Sequence, residues 1–244
     1  MNARLQPSLA NWLALDARLG PDCLRIATYN LHGCVGSDGV RDPQRIARVI
    51  GELGCDTIGL QEVYGLDVLA AELGMQAVAG PAIVLHGRHL GNALLTRRRI
   101  LATRHHDYSW GKREPRSMLD VEIEVDGAPL RVLIVHFGLG LRERAFQLRK
   151  LVQLLHDTPK HEGVVIVGDI NEWLPLSRPL RSLHGLLGKS PAERTFPARW
   201  PLFALDRIWT RPRRSLLTLE AHRSPLAARA SDHLPLRAMV LGGE

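Results

Sequence analysis

The chain has 244 residues, 45% of them hydrophobic, which suits one large α/β domain with a sizeable core. Its apolar runs are far too short for a membrane span, and Asn11, Asp16 and Arg18 interrupt the first twenty residues in a way a secretory signal would not. Three cysteines (Cys23, Cys34, Cys55) without a C-x-x-C pair argue against a disulfide framework or a zinc site and fit a reducing cytoplasm.

The net charge of +7 is unevenly spread. Residues 1–80 hold 6 Arg against 9 acids, whereas residues 81–244 hold 26 basic residues against 16 acidic ones. Of the 32 basic residues, 28 are Arg, whose planar fork matches phosphate oxygens. A phosphate-bearing partner is therefore expected: nucleic acid, a phospholipid headgroup or a small phosphoester. Gly33, Gly36 and Gly39 form neither a Walker loop nor a dinucleotide fingerprint, so no nucleotide cofactor is expected.

Residues 1–22 read as an amphipathic helix or loose arm, and 23–244 as the domain. The first strand is LRIATYN (24–30). Asp42 followed by Pro43 marks a helix start, with Ile46, Val49, Ile50 and Leu53 as its apolar stripe and Gly54 as its stop. DTIGLQEV (56–63) and GNALLT (91–96) read as strands. MLDVEIEVDG (118–127) alternates like a half-exposed strand, and LRVLIVHF (130–137) reads as its buried partner. A helix from Leu141 is expected to bury Leu141, Ala145, Leu148, Val152 and Leu155. GVVIVGDIN follows as a buried strand, then a Pro-rich stretch from Pro175 to Pro201. ALDRIWT and SLLTLEA look like a hairpin pair, and SDHLPLRAMVL supplies the last strand. This order favours one mixed sheet, or two sheets face to face with helices outside.

Several of these strands end on the same kind of residue. Asn30, Glu62, His136, Asp169, Asn171, Asp206, Asp232 and His233 all stand at or near the ends of apolar runs. Asp and Asn are poor strand formers, and a buried unpaired charge is costly. Each alone has an ordinary explanation, such as a turn, an edge charge or a satisfied core histidine. Together they suggest hard oxygen ligands for Mg²⁺ or Mn²⁺, with two histidines for acid–base chemistry.

TYN, LQEV, GNALLT, VHF, GDIN, LDRIW and SDH occur in the order found in the endonuclease/exonuclease/phosphatase superfamily, and the chain resembles that group from about Leu24 to Val240. DNase I, abasic-site endonucleases, neutral sphingomyelinases and inositol polyphosphate 5-phosphatases belong to it. The resemblance implies a four-layered α/β sandwich and a metal-dependent phosphodiester hydrolase; the basic C-terminal two-thirds makes nucleic acid the favoured substrate, with phospholipid or a phosphorylated small molecule second, and a monomer is the favoured state. It implies that Glu62 binds the cation, with Asn30 and Asp232 beside it. Asp169 would position or activate water, and Asn171 would bind the scissile phosphate. His233 would be a general base or stabilise the transition state, with Asp206 orienting it. His136 would donate to the phosphate or leaving group.

Some positions depart from the superfamily's pattern or carry weaker signals. His32 stands where the abasic-site enzymes have Asp, which points away from a standard repair enzyme. Arg207 replaces an aromatic residue and is either a phosphate contact or an idle surface residue. Asn92, Arg116 and Trp173 are further candidates for substrate contact, Trp173 by stacking. The runs Arg97–Arg99 and Arg211–Arg214 are polyanion contacts or solvated loops. A lipid-acting enzyme would carry an exposed apolar or aromatic loop, and none is evident in the sequence.

Overall fold

The computed structural model describes Trp12 and residues 23–80, 83–85, 88–159, 162–174 and 177–242. The predicted arm at 1–22 lies outside the described residues except for Trp12. That residue is buried against Cys23 and Met239, with the Arg237 guanidinium 4.2 Å from its ring centroid.

One sheet contains β1 (Cys23–Asn30), β2 (Thr57–Gln61), β3 (Gln76–Ala79), β6 (Ala93–Thr96), β12 (Leu216–Ala221) and β13 (Leu236–Leu241), in the order β12-β13-β1-β2-β6-β3. The other contains β7 (Ile100–Asp107), β8 (Ser117–Val125), β9 (Ala128–His136), β10 (Val164–Asp169) and β11 (Asp206–Arg211), in the order β11-β10-β9-β8-β7. A small ribbon pairs β4 (Ile83–Leu85) with β5 (Arg88–Leu90). Both large sheets are mixed: β1 and β2 run parallel, as do β9 and β10, while the other pairs run antiparallel.

The central strands are buried on both faces, so they read as continuous apolar runs. Leu24, Ile26, Leu94, Val121, Ile134, Val167 and Ile208 form the layer between the sheets. On the outer face of the first sheet lie α1 (Pro43–Glu52), α2 (Leu66–Leu73) and α5 (Ala227–Ala230), which bury Ile46, Val49 and Leu69. On the outer face of the second lie α3 (Leu141–Asp157) and α4 (Arg178–Leu187), which bury Leu148, Leu151 and Leu183. The result is the four-layered sandwich expected from the sequence. Asp42 caps α1 as predicted, its Oδ1 accepting from the Arg45 N–H at 2.8 Å.

Three local expectations need correction. ALDRIWT and SLLTLEA are not a hairpin: β11 belongs to one sheet and β12 to the other, so the short segment between them carries the chain across the sandwich. MLDVEIEVDG is not half-exposed, because β8 lies between β7 and β9 and most of its residues are buried. The buried face of α3 is rotated from the predicted stripe. Leu141 is exposed, while Glu143, Arg144 and Gln147 are buried beside Leu148, Leu151 and Leu155. The Pro-rich stretch contains α4, capped by Ser177, whose Oγ accepts from the Leu180 N–H.

Candidate active site

Strand register gathers the polar residues. Asp169 on β10 pairs with His136 on β9 on one side and with Asp206 on β11 on the other. Three residues scattered over seventy positions thus stand in one row at one end of the second sheet. The first sheet supplies Asn30 at the end of β1, Glu62 just after β2, and His233 shortly before β13.

Gly168 makes the row possible. Its φ is +149°, and a Cβ there would sit 1.9 Å from the Val135 carbonyl oxygen. Gly168→Ala should therefore lower stability by about 3 kcal/mol in urea denaturation. Gly185→Ala, at a helical position with open space around it, should instead add about 0.5–1 kcal/mol. Glu62 (φ +51°) and Asn171 (φ +49°) adopt the left-handed region, which side-chain-bearing residues rarely do. Such strain concentrates at functional sites.

Contacts within the cluster are specific. Asn30 Nδ2 donates to Glu62 Oε1 at 3.3 Å and to Asp169 Oδ2 at 3.1 Å. His233 Nδ1 lies 2.8 Å from Asp206 Oδ2, and His233 Nε2 lies 3.7 Å from Asp169 Oδ2. His136 Nε2 lies 3.7 Å from Asp169 Oδ2 and 3.8 Å from Glu62 Oε1. Asn171 donates its backbone N–H to Asp169 Oδ1 and its side-chain amide to the Phe137 carbonyl, each at 2.8 Å. Arg116 Nη1 reaches His136 Nδ1 at 2.6 Å.

These contacts set three different protonation states. Burial opposes a charged His233, but the carboxylates of Asp206 and Asp169 outweigh it and raise the ring to about 10. Burial also pushes Asp169 up to about 6; Asp206 adds to the rise, while His233 and the hydrogen bonds from Asn171 and Asn30 oppose it. Burial, reinforced by the cations Arg116 and His233, holds His136 well below the usual imidazole range. His136 is therefore neutral near pH 7. Because Arg116 donates to Nδ1, its proton sits on Nε2, facing Asp169 and Glu62.

Not every predicted residue joins the cluster as expected. Asn30 turns its NH₂ to the carboxylates, because its Oδ1 already accepts from the His32 N–H at 3.1 Å. It presents a donor there, not a ligand oxygen. Asp232 is partly exposed and lies 3.9 Å from His32; among the described residues it makes no ion pair with the cluster. Asn92 spends its amide on the Ser117 and Ile134 carbonyls, tying β6 to the second sheet. Arg207 is buried, not at the surface: alternate strand residues point to opposite faces, so Asp206 meets His233 while Arg207 reaches the Pro191 carbonyl. Trp173 lies edge-on to Phe196 and Phe203, and Phe196 lies 4.9 Å from the His233 ring.

Four supporting residues carried no signal in the sequence. Tyr108 Oη bonds both the N–H and the carbonyl of His136. Thr195 Oγ1 donates to Asp206 Oδ2. Arg144 and Glu172 form a buried pair that ties the loop after β9 to the loop after β10. A fifth, Ser231, stands within the quoted SDH motif, and its Oγ donates to the Asn30 carbonyl at 2.8 Å.

Asp169, Asp206 and His233 offer donor atoms within 4.8 Å of one another. Asp206 Oδ2 is engaged by His233 and Thr195, whereas its buried Oδ1 has no hydrogen-bond partner among the described residues. Glu62 fits a hard cation better. Its side chain is 31% exposed, and its Oε2 accepts no hydrogen bond among the described residues.

Two mixed sheets face to face, with acids, amides and histidines meeting at the strand ends, define an α/β sandwich with a polar cluster at one edge. The chain belongs to the endonuclease/exonuclease/phosphatase family, whose model matches residues 27–233. It is 32% identical over 171 residues to the uncharacterized protein YbhP of Escherichia coli K12, covering 65% of each chain, so the match spans just under two thirds of that relative. The fold is shared with the Bacteroides thetaiotaomicron mannosyl-6-phosphatase Bt3783 (TM-score 0.74, 18% identity, 89% of this chain and 100% of that one). It is shared also with D. rerio TDP2 complexed with a single-strand DNA product (TM-score 0.67, 17% identity, 89% of this chain and 98% of that one).

Proposed function

We propose that the protein is a divalent-metal-dependent phosphodiester hydrolase. The observation that carries this reading is the row His136–Asp169–Asp206, closed by His233, beside the free carboxylate oxygen of Glu62. Glu62 would hold Mg²⁺ or Mn²⁺, which supplies Lewis-acid stabilisation of phosphoryl charge when bound.

The chain's own groups divide the remaining work. Asp169, with its raised carboxyl, takes a proton from the attacking water as the water oxygen bonds to phosphorus. The bond to the leaving oxygen breaks, and that oxygen takes a proton from solvent. The products are a phosphomonoester and an alcohol, with no covalent enzyme intermediate. His233, protonated between two carboxylates, serves as a cationic stabiliser of the transition state. Of the two roles the sequence left open for it, this one suits a ring that keeps its proton to about pH 10. Neutral His136 donates a hydrogen bond from Nε2–H to a phosphoryl oxygen and keeps its proton, and Arg116 holds it in that tautomer.

Nucleic acid, favoured in the sequence by the excess of Arg after residue 80 and matched by the DNA-bound neighbour, is the weaker substrate reading for this site. Much of that positive charge is engaged within the fold. Arg97 bonds the carbonyls of Leu73 and Gly74, Arg98 bonds Asp56, Arg99 bonds Glu124, and Arg211 bonds the carbonyls of Leu155 and Pro159.

Hydrolysis of bis(p-nitrophenyl) phosphate with Mg²⁺ or Mn²⁺, abolished by EDTA, is the direct test. Its rate should fall below about pH 6 as Asp169 gains a proton, and fall again above about pH 10 as His233 loses one. Turnover insensitive to EDTA would defeat the metal assignment.

A further inference from the structure

Strands β9 and β10 end, and β11 begins, at the edge that holds the catalytic row. The three loops leaving that edge carry the most exposed apolar side chains near the site. Leu139 is 69% exposed, Leu141 66%, Leu174 60%, Trp200 72% and Leu202 61%. This is the exposed apolar rim that the sequence did not reveal, because its members are far apart in the chain. Exposed apolar patches mark interaction surfaces. This one is continuous with the site through Trp173, Phe203 and Phe196, the last of which lies against His233.

Of the acids on these loops, Glu143 and Glu172 are buried, with Arg144 against Glu172 and Arg113 against Glu143, and Glu193 is half-buried beside Arg194. Arg142, Arg194 and Arg199 are exposed and form no ion pair among the described residues. Leucine and tryptophan tips flanked by free arginines suit the boundary between acyl chains and anionic headgroups. Nucleobases would need open aromatic faces to stack on, and of the five rim residues Trp200 alone is aromatic, against four leucines. Trp173 instead meets Phe196 and Phe203 edge-on, with interplanar angles of 84° and 64°.

We propose that this rim docks on a bilayer bearing anionic phospholipid and offers headgroup phosphodiesters to the His233 site. The docking stands on the rim itself, and the headgroup as substrate rests on the hydrolase reading above.

Flotation with phosphatidylcholine vesicles, with and without phosphatidylglycerol, tests the docking in EDTA. The wild type should float with the anionic vesicles. The triple variant Leu174→Ser, Trp200→Ser, Leu202→Ser, with an unchanged thermal midpoint, should lose about ten-fold or more of the bound fraction. With metal, the ratio of phosphatidylglycerol hydrolysis to bis(p-nitrophenyl) phosphate hydrolysis should fall by a similar factor. The proposal is overturned by a wild type that floats with neither vesicle, or by a variant that floats as well as the wild type. It is also overturned by a variant whose loss is confined to a single-stranded DNA substrate, which would make the rim a base-stacking surface. Flotation that depends on the rim, in a protein inert toward bis(p-nitrophenyl) phosphate, supports the docking and sinks the hydrolase reading instead.

Discussion

Replacing His233 by alanine should slow bis(p-nitrophenyl) phosphate hydrolysis by about 10³-fold, inside the range of 10²–10⁴ for a positioned proton-carrying group. The variant loses a buried cation placed against developing phosphoryl charge. Asp206→Asn should lose nearly as much, because Asp206 Oδ2 lies 2.8 Å from His233 Nδ1, where it orients the ring and helps to keep it protonated. The double variant should be little worse than either single one, since the two act as a unit. Steady-state rates on the three variants decide it, and near-wild-type turnover in His233→Ala would move the active centre elsewhere. A stability signature should accompany the loss. The folded value of His233 lies above the unfolded 6.5, so its contribution is complete below that pH and disappears as pH rises through about 10. His233→Ala should therefore be most destabilised near pH 6 and converge on the wild type in strong alkali.

Asp169→Asn should show the opposite coupling of activity and stability. Its rate should fall by about 10²–10⁴-fold, since an amide accepts no proton. Its metal-free stability at pH 8 should rise by about 2–3 kcal/mol, because Asp169 is buried with its carboxyl raised from 3.8 to about 6. A raised carboxyl costs stability only when ionised. The cost is absent below pH 3.8, grows through about 6 and is complete above it, so the gain should vanish at pH 3.5. Urea denaturation of wild type and variant at both pH values, in EDTA, measures this. Equal stability at pH 8 would mean that Asp169 is not held ionised at a cost.

Both residues were legible because a polar side chain at the end of an apolar run breaks the composition of a strand. Asp169, His136 and Asp206 all carried that signal, and strand register did the rest. Side-chain direction was harder to read. Arg207 follows Asp206, and the reversal of face between neighbours sends its guanidinium to the Pro191 carbonyl. The arginine runs misled because composition does not reveal an internal partner; Arg97 and Arg98 reach backbone and acid groups more than twenty positions away. The hairpin expected at 204–221 failed because proximity in the chain does not decide between two stacked sheets. The buried polar face of α3 was hidden for a related reason: Arg144 and Gln147 serve the loop after β9 and break the apolar stripe.

Glu62 and His233 come from the sheet of β1, and His136, Asp169 and Asp206 from the sheet of β10. The two faces meet so closely that a Cβ on Gly59 would sit 2.5 Å from Val167 Cγ2. Neither half-sandwich therefore carries the full set of groups. On the proposed mechanism, turnover would report on a joint, switching on only once the contact between the two sheets has closed.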